Sequence, residues 1–292
     1  MFGRRQLLLG GATLLAGAAV SACTNNNATK VTRSPTAPSP TTSPRPSLVP
    51  VEASSPATQP APITTAHVPT TTVTITEPTS AVAGSVAPQS VDGPATYVAH
   101  GPPEGNNVAL TFHLGGEPAL VTELLDLLKA SAVTSTLFAI GDWLTANPEL
   151  GHRAVSDGHE LGNHTKSHLS MLKLPRANVR AEIIGGGEAL IPFIGSIGKW
   201  FRPSGTDVPN KVILEEAGSA GYAVSVGYDI DSRDFREPGA AAVVARVKKQ
   251  LHPGAIVSLH FGHRDTIDAL PHILDLLTAN GLTNTTVTGL LG

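Results

Sequence analysis

The chain has 292 residues, a formal net charge of −3 and a hydrophobic fraction of 41%. That allows one domain of ordinary size plus non-globular sequence, and a mildly acidic balance near pI 6.4 leaves no basic footprint for a nucleic-acid partner. Cys23 is the single cysteine, which excludes an intramolecular disulfide.

In chain order, Arg4 and Arg5 precede an apolar run from Leu7 to Val20, the length of a signal-peptide core and too short to span a bilayer. Residues 1–22 therefore read as a signal peptide. The run ends in Val20-Ser21-Ala22-Cys23, which is similar to a bacterial lipobox. Cys23 is then the lipidation site, and the protein is exported, with its domain on the outer, cell-wall side of the cell membrane. Arg4-Arg5 fits either the general or the twin-arginine export route. Residues 24–105 read as a disordered tether. Thirteen of the 24 prolines fall between Pro35 and Pro94, among Ser, Thr and Ala, which favours extended, solvated chain with little to bury.

Globular texture begins near Asn106, so residues 106–292 are expected to form the folded domain. Val108 to Phe112 predicts a buried strand, and Ala119 to Ala130 a helix with leucines at helical spacing. Val133 to Ile140 predicts a strand, Thr145 to Ser156 a helix, and His159 to Gly162 an extended lead into a histidine cluster. Arg176 to Phe193 predicts a helix that Gly185-Gly186-Gly187 should weaken or kink. Lys199 to Phe201 predicts a short strand and Asn210 to Gly221 a helix. Strands at Tyr222–Tyr228 and Ala255–His260 alternate with helices at Ala240–Leu251 and Thr266–Asn280, and Thr283 to Thr288 predicts a last strand. Such alternation means an α/β fold with a parallel sheet, in a barrel or an open doubly wound form. Thr111-Phe112-His113, His164, Arg202, Asp229 to Asp234 and His260 all fall at predicted strand ends, where parallel α/β folds build their sites.

His164 and His168 stand four residues apart, so that on one helical turn both reach one cation, and Zn²⁺ prefers such nitrogen ligands. Their context, Gly158-His159-Glu160-Leu161-Gly162-Asn163-His164-Thr165-Lys166-Ser167-His168, closely resembles the His-Thr-x-x-His motif of the polysaccharide deacetylases. That motif is typical of the NodB homology domain of carbohydrate esterase family 4, and the resemblance, with the N-terminal signal, implies an exported lipoprotein of actinobacterial type. Further blocks follow in the family's order: Val108-Ala109-Leu110-Thr111-Phe112, Phe201-Arg202-Pro203-Ser204-Gly205, Asp231-Ser232-Arg233-Asp234-Phe235 and Ile256-Val257-Ser258-Leu259-His260. The resemblance covers about Asn107 to Leu291.

It implies a distorted (β/α) barrel and a metal-dependent hydrolase that removes acetyl groups from a cell-envelope polysaccharide, peptidoglycan or a related amino-sugar polymer. His164 and His168 would hold the divalent metal, most simply Zn²⁺, and His260 would be the general acid. Asp234 would orient His260, Arg202 would position the base side, and Phe235 and Leu259 would line the acetyl pocket. One block departs from the pattern. The family's Thr-Phe-Asp-Asp-Gly supplies a base and a carboxylate ligand, whereas this chain reads Thr111-Phe112-His113-Leu114-Gly115. Three alternatives follow. His113 acts as the base or as a third ligand, Glu117 swings back to supply the carboxylate, or catalysis is lost and a non-catalytic glycan-binding lipoprotein remains.

Overall fold

The computed structural model describes residues 91–292. The signal peptide, Cys23 lipidation site and tether expected from the sequence lie outside the described residues as far as residue 90. Within them, eight short strands alternate with helices. The strands are β1 (Thr96–Val98), β2 (Asn107–Leu114), β3 (Thr136–Ala139), β4 (Glu160–Asn163), β5 (Val224–Val226), β6 (Ile230–Asp231), β7 (Ile256–His260) and β8 (Thr283–Asn284). The main helices are α1 (Pro118–Ala130), α2 (Gly141–Ala146), α3 (Pro148–Ser156), α4 (Arg176–Ile194), α5 (Lys211–Ser219), α6 (Ala240–Gln250), α7 (Arg264–Ala279) and α8 (Val287–Leu291).

All pairings are parallel, in the order β4-β3-β2-β7-β6 with β8 beside β2, and β1 pairs β5. Phe201 bridges β4 to β5 through Asn163 and Ser225, extending the curved sheet into a distorted barrel with helices outside. The pleat of β2 decides what faces where. Val108, Leu110, Phe112 and Leu114 join the large core between sheet and helices, while Thr111 and His113 alternate to the inner side. β7 repeats this, with Val257 and Leu259 in the same core and His260 inward.

Most predicted elements are present, and the departures have local causes. The helix expected over Thr145–Ser156 is two helices that meet at Asn147-Pro148. Proline disfavours helical backbone in the residue before it and opens the next helix at its first position. The strand expected over Lys199–Phe201 shrinks to one bridge residue, because Pro203, two positions on, has no N–H to extend a ladder. The last segment pairs only at Thr283–Asn284 and then turns into α8, where the Thr286 hydroxyl accepts from Gly289 N at 3.1 Å. β1 lies inside residues 24–105, so ordered structure begins earlier than the sequence texture suggests. Its three residues are too few for a periodic signal.

The Gly185-Gly186-Gly187 run does not break α4. A Cβ at Gly186 would stand 2.2 Å from Asn163 Oδ1 and 2.6 Å from the Thr165 carbonyl carbon, so the bare helix face lets the histidine loop lie directly on it. Gly186→Ala is expected to cost about 1–3 kcal/mol through overpacking, read as a lower denaturant midpoint at unchanged slope. An unshifted midpoint would contradict this packing.

Candidate active site

Five imidazoles, those of His113, His164, His168, His260 and His263, line one pocket of about 520 Å³ at the carboxyl ends of the strands. β2 and β7 run in register, with His113 opposite His260, and the two ring centroids are 4.3 Å apart. His164 follows β4, and its ring centroid is 4.3 Å from that of His113.

The loop from His164 to His168 is not the helical turn expected from the spacing. Thr165 and His168 both have positive φ, 67° and 59°, and neighbouring groups hold the loop in that shape. Asn163 Oδ1 accepts from Thr165 N at 2.7 Å, and Glu182 Oε2 on α4 accepts from Ser167 N at 2.8 Å. The pair still converges, with ring centroids 5.0 Å apart. His164 Nδ1 lies 2.9 Å from the Arg202 carbonyl oxygen. A carbonyl only accepts, so Nδ1 carries the proton and Nε2 keeps its lone pair, the tautomer a metal ligand needs. The Nε2 atoms of both His164 and His113 are buried without a hydrogen-bond partner. Two adjacent buried imidazole nitrogens without partners are a donor pair that a divalent cation would fit, of the kind zinc prefers. Among the described residues no three His, Cys, Asp or Glu side chains already stand as a closed ligand set.

On the other wall, the 3₁₀ turn Asp234–Arg236 buries Asp234 completely. Its Oδ1 accepts from His260 Nδ1 at 2.7 Å, and its Oδ2 accepts from His260 N at 2.7 Å and from Thr266 Oγ1 at 2.6 Å. Burial pushes the Asp234 carboxyl upward, but the hydrogen bond and charge of His260 outweigh it and hold the group below its usual range. His260 is thereby fixed with Nδ1–H on the carboxylate and Nε2 free. Phe235 is 41% exposed with its ring 4.9 Å from His260, so it borders the pocket as expected.

Two expected placements, those of Leu259 and Glu117, need correction, and Arg202 reaches the base side through Thr111. Leu259 packs in the core behind β7 and does not line the pocket, because its neighbour His260 takes the inward position of the pleat. Arg202 does not touch His113. Its guanidinium is buried across the barrel, donating to Thr111 Oγ1 at 2.9 Å, Val226 O at 3.1 Å and Gly227 O at 2.8 Å, and it lies 3.9 Å over the Phe138 ring. No carboxylate balances it. Burial lowers its pKa to about 9 against the opposing Tyr228 and Tyr97, and it remains cationic at neutral pH. Glu117 is exposed at the N-terminus of α1, outside the pocket lining.

Sequence reasoning missed Tyr228, which hydrogen-bonds Asp207 at the pocket wall, and His263, which pairs with Glu237. His263 carried a signal, three residues beyond His260. Thr266 on α7 carried none.

Burial, and then the neighbouring imidazoles, hold His113 and His164 well below the usual histidine pKa of 6.5. Both are neutral when folded, while the unfolded chain takes up protons as pH falls below 6.5. Metal-free protein should therefore keep its stability above about pH 6.5 and lose it progressively as pH falls from there toward 5. Denaturant midpoints at a series of pH values check this, and a constant midpoint across that window contradicts it.

Comparison with known proteins places this geometry. Residues 100–225 match the family model for polysaccharide deacetylase. A peptidoglycan-N-acetylglucosamine deacetylase of Bacillus cereus is 33% identical over 203 residues, covering 68% of this chain and 94% of the relative. The chain belongs to the polysaccharide deacetylase family. A chitooligosaccharide deacetylase of a Bradyrhizobium species is 32% identical over 157 residues, covering 54% of this chain and 71% of the relative. Among solved structures, a mutant of a carbohydrate esterase family 4 pseudoenzyme of Bacillus anthracis, described as having restored enzymatic activity, superposes with a TM-score of 0.63 at 25% identity, covering 68% and 71% of the two chains. The distorted barrel is thus the family fold. The Asp234–His260 pair lies beyond the segment that the family model matches.

Proposed function

We propose that this protein is a metal-dependent hydrolase that removes acetyl groups from a cell-envelope polysaccharide, peptidoglycan or a related amino-sugar polymer. The observation that carries this is the buried Asp234 fixing His260 against the same pocket into which His164 and His168 project. A divalent ion held by His164 and His168, zinc on the donor chemistry, supplies Lewis-acid polarisation of the acetyl carbonyl when bound. Water attacking the acetyl carbon gives its proton to His260 Nε2, which passes it to the leaving nitrogen or oxygen as the C–N or C–O bond breaks, and Asp234 holds the ring in that orientation throughout. Phe235 offers an apolar wall beside the reacting group. Acetate release from peptidoglycan and from acetylated chitooligosaccharides tests the reading, and it should be abolished by a chelator.

A second reading has its own support. Neither His113 nor Leu114 is a carboxylate, and the pseudoenzyme neighbour shows that this fold can exist without activity. A non-catalytic glycan-binding lipoprotein would retain the glycan in a pull-down and release no acetate.

We also propose that Cys23 carries a lipid that anchors the protein outside the cell membrane. The lipobox-like Val20 to Cys23 supports this. Cys23→Ala should move the protein out of the membrane fraction or leave it unprocessed, and wild type found wholly in the cytosol would end the proposal.

A further inference from the structure

The geometry points to His113 as a third metal ligand, giving a centre made of imidazoles alone. This rests on the metal-dependent reading above and deepens it. The pocket has few groups left to hold a cation once existing bonds are counted. Asp207 is engaged by Tyr228, Asp231 by Arg233, His260 by Asp234 and His263 by Glu237. His113, His164 and His168 alone have no side-chain partner among the pocket's titratable groups. Two of these three present a buried, unbonded Nε2, and their rings stand 4.3 Å apart. A buried acceptor without a partner costs about 1–3 kcal/mol, and a bound cation would satisfy two such nitrogens side by side.

β2 offers no other donor. The strand keeps its pleat through Leu114, which turns that side chain into the core behind the sheet, and Glu117 stays outside the pocket. The backbone of Gly116 packs against Gly262, where an added Cβ would stand 2.8 Å from Gly262 Cα. The strand register brings His113 beside His260 and the sheet curvature brings it beside His164, so it sits between the acid and the first ligand.

Two consequences follow. Neutral donors leave the ion its full double charge, so small carboxylates such as acetate should compete at the site. With His113 engaged, no carboxylate base remains free. The proton lost by the attacking water passes to His260 Nε2 and from there to the leaving atom, one imidazole serving both transfers.

The test uses the full chain with zinc and cobalt as probes. Chelator competition should give about one zinc per chain, and His113→Ala and His113→Gln should each weaken it by more than about 100-fold, beyond the usual loss from an outer-sphere change. Cobalt-loaded wild type and variants should differ in their visible absorption. X-ray absorption at the zinc edge of wild type counts imidazoles without any variant, so a poorly folding His113→Ala does not block the test. Three imidazoles are expected. Two imidazoles, or variants that bind zinc as wild type does, overturn the ligand role of His113 and leave the deacetylase reading standing. Wild type that binds no zinc or cobalt overturns both.

Discussion

Replacing His260 with alanine is expected to lower acetate release by roughly 100-fold or more while leaving bound metal unchanged. The separation is possible because His260 lies at the end of β7, whereas the proposed ligands His164 and His168 lie on the loop after β4. The variant should also fold. Asp234 keeps three donors, the backbone N–H groups of residues 260 and 235 and the Thr266 hydroxyl, so its buried carboxylate is not stranded. Asp234→Asn should give a smaller loss and an altered pH profile. Its carbonyl oxygen can still accept hydrogen bonds, but its NH2 faces donors in place of the second oxygen, and the neutral group no longer favours a charged His260. Steady-state kinetics on an acetylated chitooligosaccharide check both, and an unchanged rate in His260→Ala would assign the proton transfer elsewhere.

The second large effect is the joint loss of metal and activity in the His164→Ala, His168→Ala variant, with turnover falling to background. His164 is fully buried and bonded to the Arg202 carbonyl, so its removal also leaves that carbonyl unpaired, at a cost of about 1–3 kcal/mol in stability. His168→Ala alone is the cleaner control, because this residue is exposed on the loop and makes no hydrogen bond. Elemental analysis alongside a melting curve separates ligand loss from unfolding. Equal metal in wild type and the double variant would remove both residues from the ligand set.

Much of this was legible in the sequence because the site is built at strand ends, and strands carry their own period. The apolar run Val108 to Phe112 marked a buried strand, and the ordered blocks carrying His164, His168, Asp234 and His260 named the candidate site before any coordinate. What was not legible depends on the third dimension. The family resemblance put Leu259 in the acetyl pocket, and only the register of β7 with β2 showed that His260 takes the inward place and Leu259 packs behind the sheet. Spacing suggested a helical turn for His164 and His168, whereas Asn163 and Glu182 impose a loop with positive φ, a tertiary constraint that no local propensity encodes. The glycine run in α4 read as a weakness because its benefit, the close approach of that loop, comes from residues some twenty positions earlier. Arg202 read as positioning the base side of the reacting centre because the resemblance of Phe201-Arg202-Pro203-Ser204-Gly205 to a family block implied it. Its bonds to Thr111 and to two carbonyls across the barrel depend on the barrel being formed.

Titrating metal-stripped protein with zinc while following acetate release from peptidoglycan tests the central claim most directly. Activity should be absent at the start, rise in proportion to added zinc and level off near one equivalent per chain, and the His164→Ala, His168→Ala variant should stay flat. Full activity in the stripped protein, or one bound equivalent with no acetate released from any acetylated envelope glycan, would contradict it.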